Sequence, residues 1–295
     1  MKETIFTGAG VAIVTPFDKN MDVNYRRLGE LIDQQIEEGT DAIVIAGTTG
    51  EASVLSTFEH IDVVKYAVDV ANKRVPVIAG AGSNSTKYAV RLANECENAG
   101  VDGLLMVTPY YNKTSQKGLI DHYNYIAERV NTPIILYNVP SRTGVNILPE
   151  TYAILAENEK IVATKEANAN ISALAKTMSL CGDKLDIYCG NDDEVAAFIA
   201  MGGKGSISVL SNICPKVAHD IAQLGVDGNI KESVKLQLEY TELCNALFSD
   251  VNPIPIKEAM NIMGMNVGEC RLPLVGMSEE GRAKLTKVLE KYNLI

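Results

Sequence analysis

Eight short apolar runs, spaced along most of the chain, set the narrowest limit on how it can fold. They are "GVAIVTP" (10–16), "DAIVIAG" (41–47), "VPVIAG" (75–80), "GLLMVTP" (103–109), "PIILYNV" (133–139), "IVATK" (161–165), "LDIYCG" (185–190) and "SISVL" (206–210). Most are apolar throughout rather than alternating, which suits a parallel sheet covered on both faces. Between them lie helical patterns such as "NYRRLGELIDQQIEEG" (24–39) and "TKYAVRLANECENAG" (86–100). The second ends in Gly100, a helix stop.

Eight strand–helix units predict an α/β fold of the (β/α)8 TIM-barrel type. The alternative is an open doubly wound sheet, which often carries a Gly-rich phosphate loop after its first strand. Here the first strand leads into "TPF", with no GxGxxG. After residue 226 the strand pattern stops, and "NIKESVKLQLEYTELCNALF", "NPIPIKEAMNIMG" and "SEEGRAKLTKVLEKY" read as three further helices. The expected organisation is a catalytic barrel over 1–226 and a helical extension over 227–295 packed on it.

Charge and composition exclude several function classes. The 295 residues carry a formal net charge of −10, which disfavours nucleic acid and anionic membrane surfaces as partners. No apolar run approaches the ~20 residues of a membrane-spanning helix. "MKETIFTGAG" has no apolar core of a signal peptide, so a cytoplasmic location is expected. Six scattered cysteines without CxxC read as reduced, mostly buried thiols. Three histidines, far apart, lack metal-ligand spacing, so no metal site is expected.

Barrel active sites sit at the C-terminal ends of the strands. The polar residues that close each apolar run are therefore the candidates. Lys165 closes the sixth. Desolvation in a barrel mouth disfavours an ammonium, and the free amine can form an imine with a carbonyl. The plainer alternative is a solvated strand-end lysine paired with Glu166. Tyr137 closes the fifth run, where a phenol can shuttle protons or simply fill the core. "GTTGE" (47–51) follows the second run, and its backbone N–H groups and hydroxyls can converge on a carboxylate. "TPYYNK" (108–113) follows the fourth, with paired loop tyrosines that suit an interface or a ligand. Arg142, in "YNVPSRTG" (137–144), can grip a second carboxylate or merely be solvated.

Taken in order, "GTTGE", "TPYYNK", "YNVPSRTG", "TKEA", "GNDD", "GGKGSISV" and "NPIPIK" make the chain similar to the dihydrodipicolinate synthase family over nearly its whole length. These are class I aldolases, in the superfamily that includes N-acetylneuraminate lyase. The resemblance implies an imine between Lys165 and pyruvate, and condensation of its enamine with L-aspartate 4-semialdehyde on the route to diaminopimelate and lysine. Tyr137, Thr48 and Tyr111 would form a proton relay, with Tyr111 reaching a neighbouring subunit's site. Thr49 would hold the pyruvate carboxylate, Ile207 would contact pyruvate, Arg142 would bind the semialdehyde's carboxylate, and Gly190 would line the site. No metal or organic cofactor is implied. The partners would be the two substrates and further copies of the chain, in a tetramer built as a dimer of dimers or, as in other members, a dimer.

The resemblance also implies a regulatory site. Lysine-sensitive members carry a glutamate in the segment matching "NSTKY" (84–88), where this chain has Tyr88, and often a histidine where it has Thr57. Ser53, His60, Asn84 and Tyr110 remain. The expectation is a vestigial site and weak or absent inhibition by L-lysine. Within the superfamily, the alternative is a lyase or aldolase acting on N-acetylneuraminate or a 2-keto-3-deoxy sugar acid. Arg142 favours a short substrate bearing a carboxylate. A non-catalytic keto-acid sensor would need no nucleophile, and the Lys165, Tyr137 and Thr48 set argues against it.

Overall fold

The eight expected strands form one closed ring in the computed structural model, which describes residues 2–295. They are β1 (Gly8–Ala12), β2 (Ala42–Ile45), β3 (Val77–Gly80), β4 (Gly103–Val107), β5 (Ile134–Asn138), β6 (Ile161–Glu166), β7 (Asp186–Cys189) and β8 (Gly205–Ser208). Every neighbouring pair is parallel, and β8 closes on β1 through Gly8–Gly205 to Val11–Ser208. The chain is thus a (β/α)8 barrel. The helices are α1 (Tyr25–Glu37), α2 (Thr57–Ala71), α3 (Thr86–Asn98), α4 (Gln116–Ala127), α5 (Pro140–Thr143), α6 (Pro149–Leu155), α7 (Ile171–Cys181), α8 (Val195–Ala200) and α9 (Pro215–Val226). After them come α10 (Ile230–Ala246), α11 (Ile254–Ile262) and α12 (Glu279–Lys291), in the three segments expected to be helical.

Local chemistry explains the helix ends. Asn24, Ser85 and Ser115 each accept a backbone N–H from the first turn of α1, α3 and α4. Ser56 and Glu59 form a reciprocal capping box at the start of α2. Gly100 stands just past α3 with a φ of 89°, in the left-handed region that favours glycine.

Most strand ends differ from the sequence reading by a few residues, and two of them bear on the site. Strand β6 runs one residue past Lys165, to Glu166, whereas β8 stops at Ser208 and the chain turns through a short 3-10 segment, Leu210–Asn212.

Period-2 alternation divides the side chains of each strand. Ala12, Val44, Ile78, Leu105, Ile135, Tyr137, Ala163, Tyr188 and Ile207 share the core inside the barrel. Val11, Ile43, Leu104, Leu136 and Ile161 join the larger core between sheet and helices. On β6, Lys165 follows the parity of Ala163 toward the interior, and Glu166 faces the helices. The register sets Lys165 opposite Tyr137 on β5 and Tyr188 on β7. All six cysteines are free thiols, five of them buried. Among the described residues, no helix is long and apolar enough to cross a membrane, and no group of His, Cys, Asp or Glu could hold a metal ion.

Candidate active site at the barrel mouth

A cavity of about 180 Å³ opens at the C-terminal ends of the strands, lined by Thr48, Thr49, Tyr137, Arg142, Lys165, Gly190 and Asn252 among others. Lys165 is the only lysine in that lining, and the residue is 6% exposed. Its Nζ lies 4.6 Å from the centroid of the Tyr137 ring. Glu166 does not pair with it. That carboxylate sits behind the sheet, where Asn138 and Tyr152 hydrogen-bond it. Gly190 is required beside the lysine, because a Cβ there would fall 2.8 Å from Ala167 Cβ and 3.1 Å from Lys165 Cε.

The threonine loop after β2 is held from below and from the side. Thr15 donates its hydroxyl hydrogen to Gly50 O at 2.6 Å. Thr49 is buried, and its Oγ1 accepts a hydrogen bond from Asn252 Nδ2 at 3.0 Å. Arg142, on α5 at the rim, donates from Nη2 to Asn252 O at 3.1 Å. Asn252 therefore ties the anion cradle to the arginine, and its own Oδ1 is buried without a partner. Asp192, beyond β7, accepts the N–H groups of Val209 and Leu210, both at 2.9 Å, and so shapes the turn after β8. Burial pushes its carboxyl pKa up, against hydrogen bonds from Ser208, Leu210 and Val209 and the charge of Lys165.

Two expected residues lie outside this lining. Ile207 is buried in the barrel interior, and Val209, two residues on, faces the cavity. Tyr111 is 91% exposed with a φ of 68° and does not enter the cavity of its own barrel. Asn252, Phe248 and Asp192 were absent from the sequence candidates, although Asn252 opens the quoted "NPIPIK" and Asp192 lies in the quoted "GNDD".

A second cleft, of about 500 Å³, adjoins the first and shares Thr48, Tyr137 and Arg142 with it. Ser53, His60, Tyr88 and Tyr110 line it, whereas Asn84 stands beside it, its carbonyl accepting from Asn112 Nδ2. His60 Nε2 lies 2.7 Å from Gly80 O, and burial lowers the pKa of its ring. Among the described residues, no Asp or Glu lines this cleft. The hydroxyls of Tyr88 and Thr57, the two positions expected to depart from the lysine-sensitive pattern, lie 3.0 Å apart and satisfy each other.

A buried amine beside a phenol, an anion cradle and a rim arginine at a barrel mouth suit imine-forming lyase chemistry on a small keto acid. Comparison with known proteins identifies the family. The family model described as the dihydrodipicolinate synthetase family matches residues 5–292. The 4-hydroxy-tetrahydrodipicolinate synthase of Acetivibrio thermocellus is 54% identical over 295 residues, covering 100% of both chains. The chloride-inhibited dihydrodipicolinate synthase of Acinetobacter baumannii, solved in complex with pyruvate, superposes with a TM-score of 0.97 at 41% identity, over 99% of this chain and 100% of that one. The enzyme of Cyanidioschyzon merolae, solved with lysine bound, gives 0.96 at 35% identity, over 99% of this chain and 100% of that one. The chain belongs to the dihydrodipicolinate synthetase family. Its function is that of a 4-hydroxy-tetrahydrodipicolinate synthase, an enzyme of the lyase class.

Proposed function

We propose that Lys165 forms an imine with pyruvate and that its enamine condenses with L-aspartate 4-semialdehyde. The amine adds to the keto carbon and water leaves. Loss of a methyl proton gives the enamine, whose carbon attacks the aldehyde, and the aldehyde oxygen takes up a proton. The semialdehyde's own amine then displaces Lys165 as the ring closes, giving (4S)-4-hydroxy-2,3,4,5-tetrahydrodipicolinate. The protonated imine is the electron sink, so the cycle requires no metal or organic cofactor. Tyr137 and Thr48, with Tyr111 of a neighbouring copy, relay the protons. Thr49 and its amide hold the pyruvate carboxylate, Gly190 leaves room for the adduct, and Ile207 supports it from the layer below.

The observation that supports this reading best is the placement of Lys165, buried against Tyr137 in the barrel mouth. A coupled assay of pyruvate with the semialdehyde tests it, with N-acetylneuraminate and a 2-keto-3-deoxy sugar acid run alongside. Turnover of the sugar acids alone would assign the site to the sister lyases.

Arg142 is expected to select the second substrate. It is exposed at the rim, so Arg142→Ala removes a carboxylate partner worth about 2 kcal/mol. That corresponds to roughly a thirtyfold rise in KM for the semialdehyde, with the KM for pyruvate nearly unchanged. Equal rises for both would assign Arg142 elsewhere.

The assembly we propose is a homotetramer made of two dimers, within which Tyr111 enters the partner's site. Mixed Lys165→Ala and Tyr111→Phe chains should then recover activity that neither has alone, because one hybrid site keeps both native residues. Hybrid dimers that form and stay inactive would refute the exchange.

L-Lysine should inhibit weakly or not at all. The second cleft offers its ammonium no carboxylate, and Tyr88 is engaged with Thr57. A shortfall of ~3 kcal/mol weakens binding by over a hundredfold. Titration with L-lysine at saturating semialdehyde measures this. Half-inhibition below a millimolar would show that Ser53, His60, Asn84 and Tyr110 suffice.

A further inference from the structure

The sheet carries a second polar cluster, on the side away from the cavity and unused by the chemistry above. Its centre is the Glu166 carboxylate, buried among neutral groups. Asn138 Nδ2 donates to both its oxygens at 3.0 Å. Tyr152 of α6 donates to Oε2 at 2.8 Å, and the backbone N–H of Asn168 donates to Oε1 at 2.9 Å. Around this centre a second ring closes. Thr164 donates to the Tyr152 hydroxyl at 3.2 Å. Asn138 Nδ2 also donates to Asn146 Oδ1 at 2.8 Å, and its Oδ1 accepts the N–H of Ile147 at 3.1 Å.

These bonds join four segments: the end of β5, the end of β6, the chain between α5 and α6, and α6 itself. Each pinned residue has a site residue close by in sequence. Asn138 follows Tyr137 and Glu166 follows Lys165, each pair on opposite faces of one strand. The Asn146–Ile147 segment lies just past α5, which bears Arg142. A shift of Glu166 along the strand therefore moves Lys165 on the other face, and the backbone of Glu166 also accepts the N–H of Gly190 at 2.8 Å.

We infer that Glu166 is a positioning residue for the imine chemistry, a buried acceptor behind the sheet that fixes Lys165, Tyr137 and Arg142 relative to one another. The inference rests on Lys165 as the imine-forming residue. The arrangement needs an acceptor that offers no hydrogen. Every neighbour that reaches the carboxylate arrives as a donor, and Asn138 cannot turn its amide over without losing Ile147 and Asn146. Burial pushes the Glu166 pKa up to about 7, so the hydrogen-free acceptor is present above that pH, where the hydrogen bonds from Asn138, Tyr152 and Asn168 favour the charged form. Tyr152, the titratable group in contact with it, is held neutral, its pKa raised by burial and by the carboxylate.

Glu166→Gln keeps the shape but sets an amide N–H₂ against a ring of donors. In rapid-mixing experiments with pyruvate and borohydride, the rate constant for imine formation per trappable site should fall by about tenfold or more, the scale on which misplacing a reacting group acts. The number of trappable sites and the pyruvate KM should stay close to wild type. Tyr152→Phe, which leaves the carboxylate but removes one donor, should give a smaller fall of the same kind. Asn138→Asp combined with Glu166→Gln restores one complementary donor and acceptor and should recover part of the rate. A wild-type rate constant per site in Glu166→Gln and Tyr152→Phe overturns the inference, and so does a loss confined to melting temperature or to the count of trappable sites. Absence of any trapped adduct in the wild-type enzyme would instead sink the Lys165 reading beneath it.

Discussion

Lys165→Ala is expected to lose the borohydride-trapped pyruvate adduct and at least about 10³ of the condensation rate, because the reaction then lacks both the covalent electron sink and its orientation. The fold should survive the change. Lys165 stands at the cavity wall, and the core beneath it is built from Tyr137, Ala163, Tyr188 and Ile207. Mapping the reduced adduct by mass spectrometry should place it on the peptide containing Lys165. The near neighbour in sequence, Lys160, is a clean control: it lies at the opposite end of β6, and its Nζ donates to Asn131 O. An adduct on Lys160, or an undiminished adduct in Lys165→Ala, would end the mechanism.

The barrel was legible in the sequence because its strands are buried on both faces. Each reads as an apolar run that no amphipathic helix would imitate, and the polar residue closing the run marks the mouth. Lys165 and Tyr137 follow from that rule alone. Glu166 illustrates its limit. As the neighbour of Lys165 in sequence it looked like an ion-pair partner, but a strand sends successive side chains to opposite faces. Once β6 is seen to continue through residue 166, the carboxylate belongs to the helix side. The end of β8 shows a related limit. "SISVL" is apolar to its last residue, yet Asp192 captures the N–H groups of Val209 and Leu210 and turns the chain early.

Other parts of the site depend on contacts that no local pattern encodes. Asn252 meets Thr49 across a separation of 203 residues. Nothing in the spacing of "NPIPIK" says that its first residue reaches the threonine loop while its carbonyl takes the Arg142 guanidinium. Tyr111 presents the opposite case. It is an exposed aromatic in a left-handed backbone conformation, and the use proposed for it lies in a second copy. The Tyr88–Thr57 pair shows how two positions far apart in sequence become one feature when their hydroxyls meet.

The last residue of "NPIPIK" carries the second large prediction. Lys257 Nζ lies 2.8 Å from Glu51 Oε1, with side chains 2% and 1% exposed. The ammonium also donates to Glu269 O at 2.7 Å and Thr15 O at 3.2 Å, and it sits 4.3 Å from the Phe17 ring centroid. The other Glu51 oxygen accepts the N–H of Arg271 at 2.9 Å. The pair thus clamps the "GTTGE" loop, which carries Thr48 and Thr49, to α11 and the chain beyond it. Removing one member strands a charge where water cannot reach it, at a cost of about 3–5 kcal/mol. Lys257→Met should accordingly lower the melting temperature by roughly 10 °C and raise the KM for pyruvate as the cradle loosens. Glu51→Gln/Lys257→Met removes both charges and should regain much of the stability, but the loop loses its anchor and the KM stays high. Urea titrations of both variants, read beside their pyruvate kinetics, separate the two effects. A single variant as stable as wild type would show that the pair contributes no more than an exposed one, and full recovery of pyruvate affinity in the double variant would show that the cradle does not depend on it.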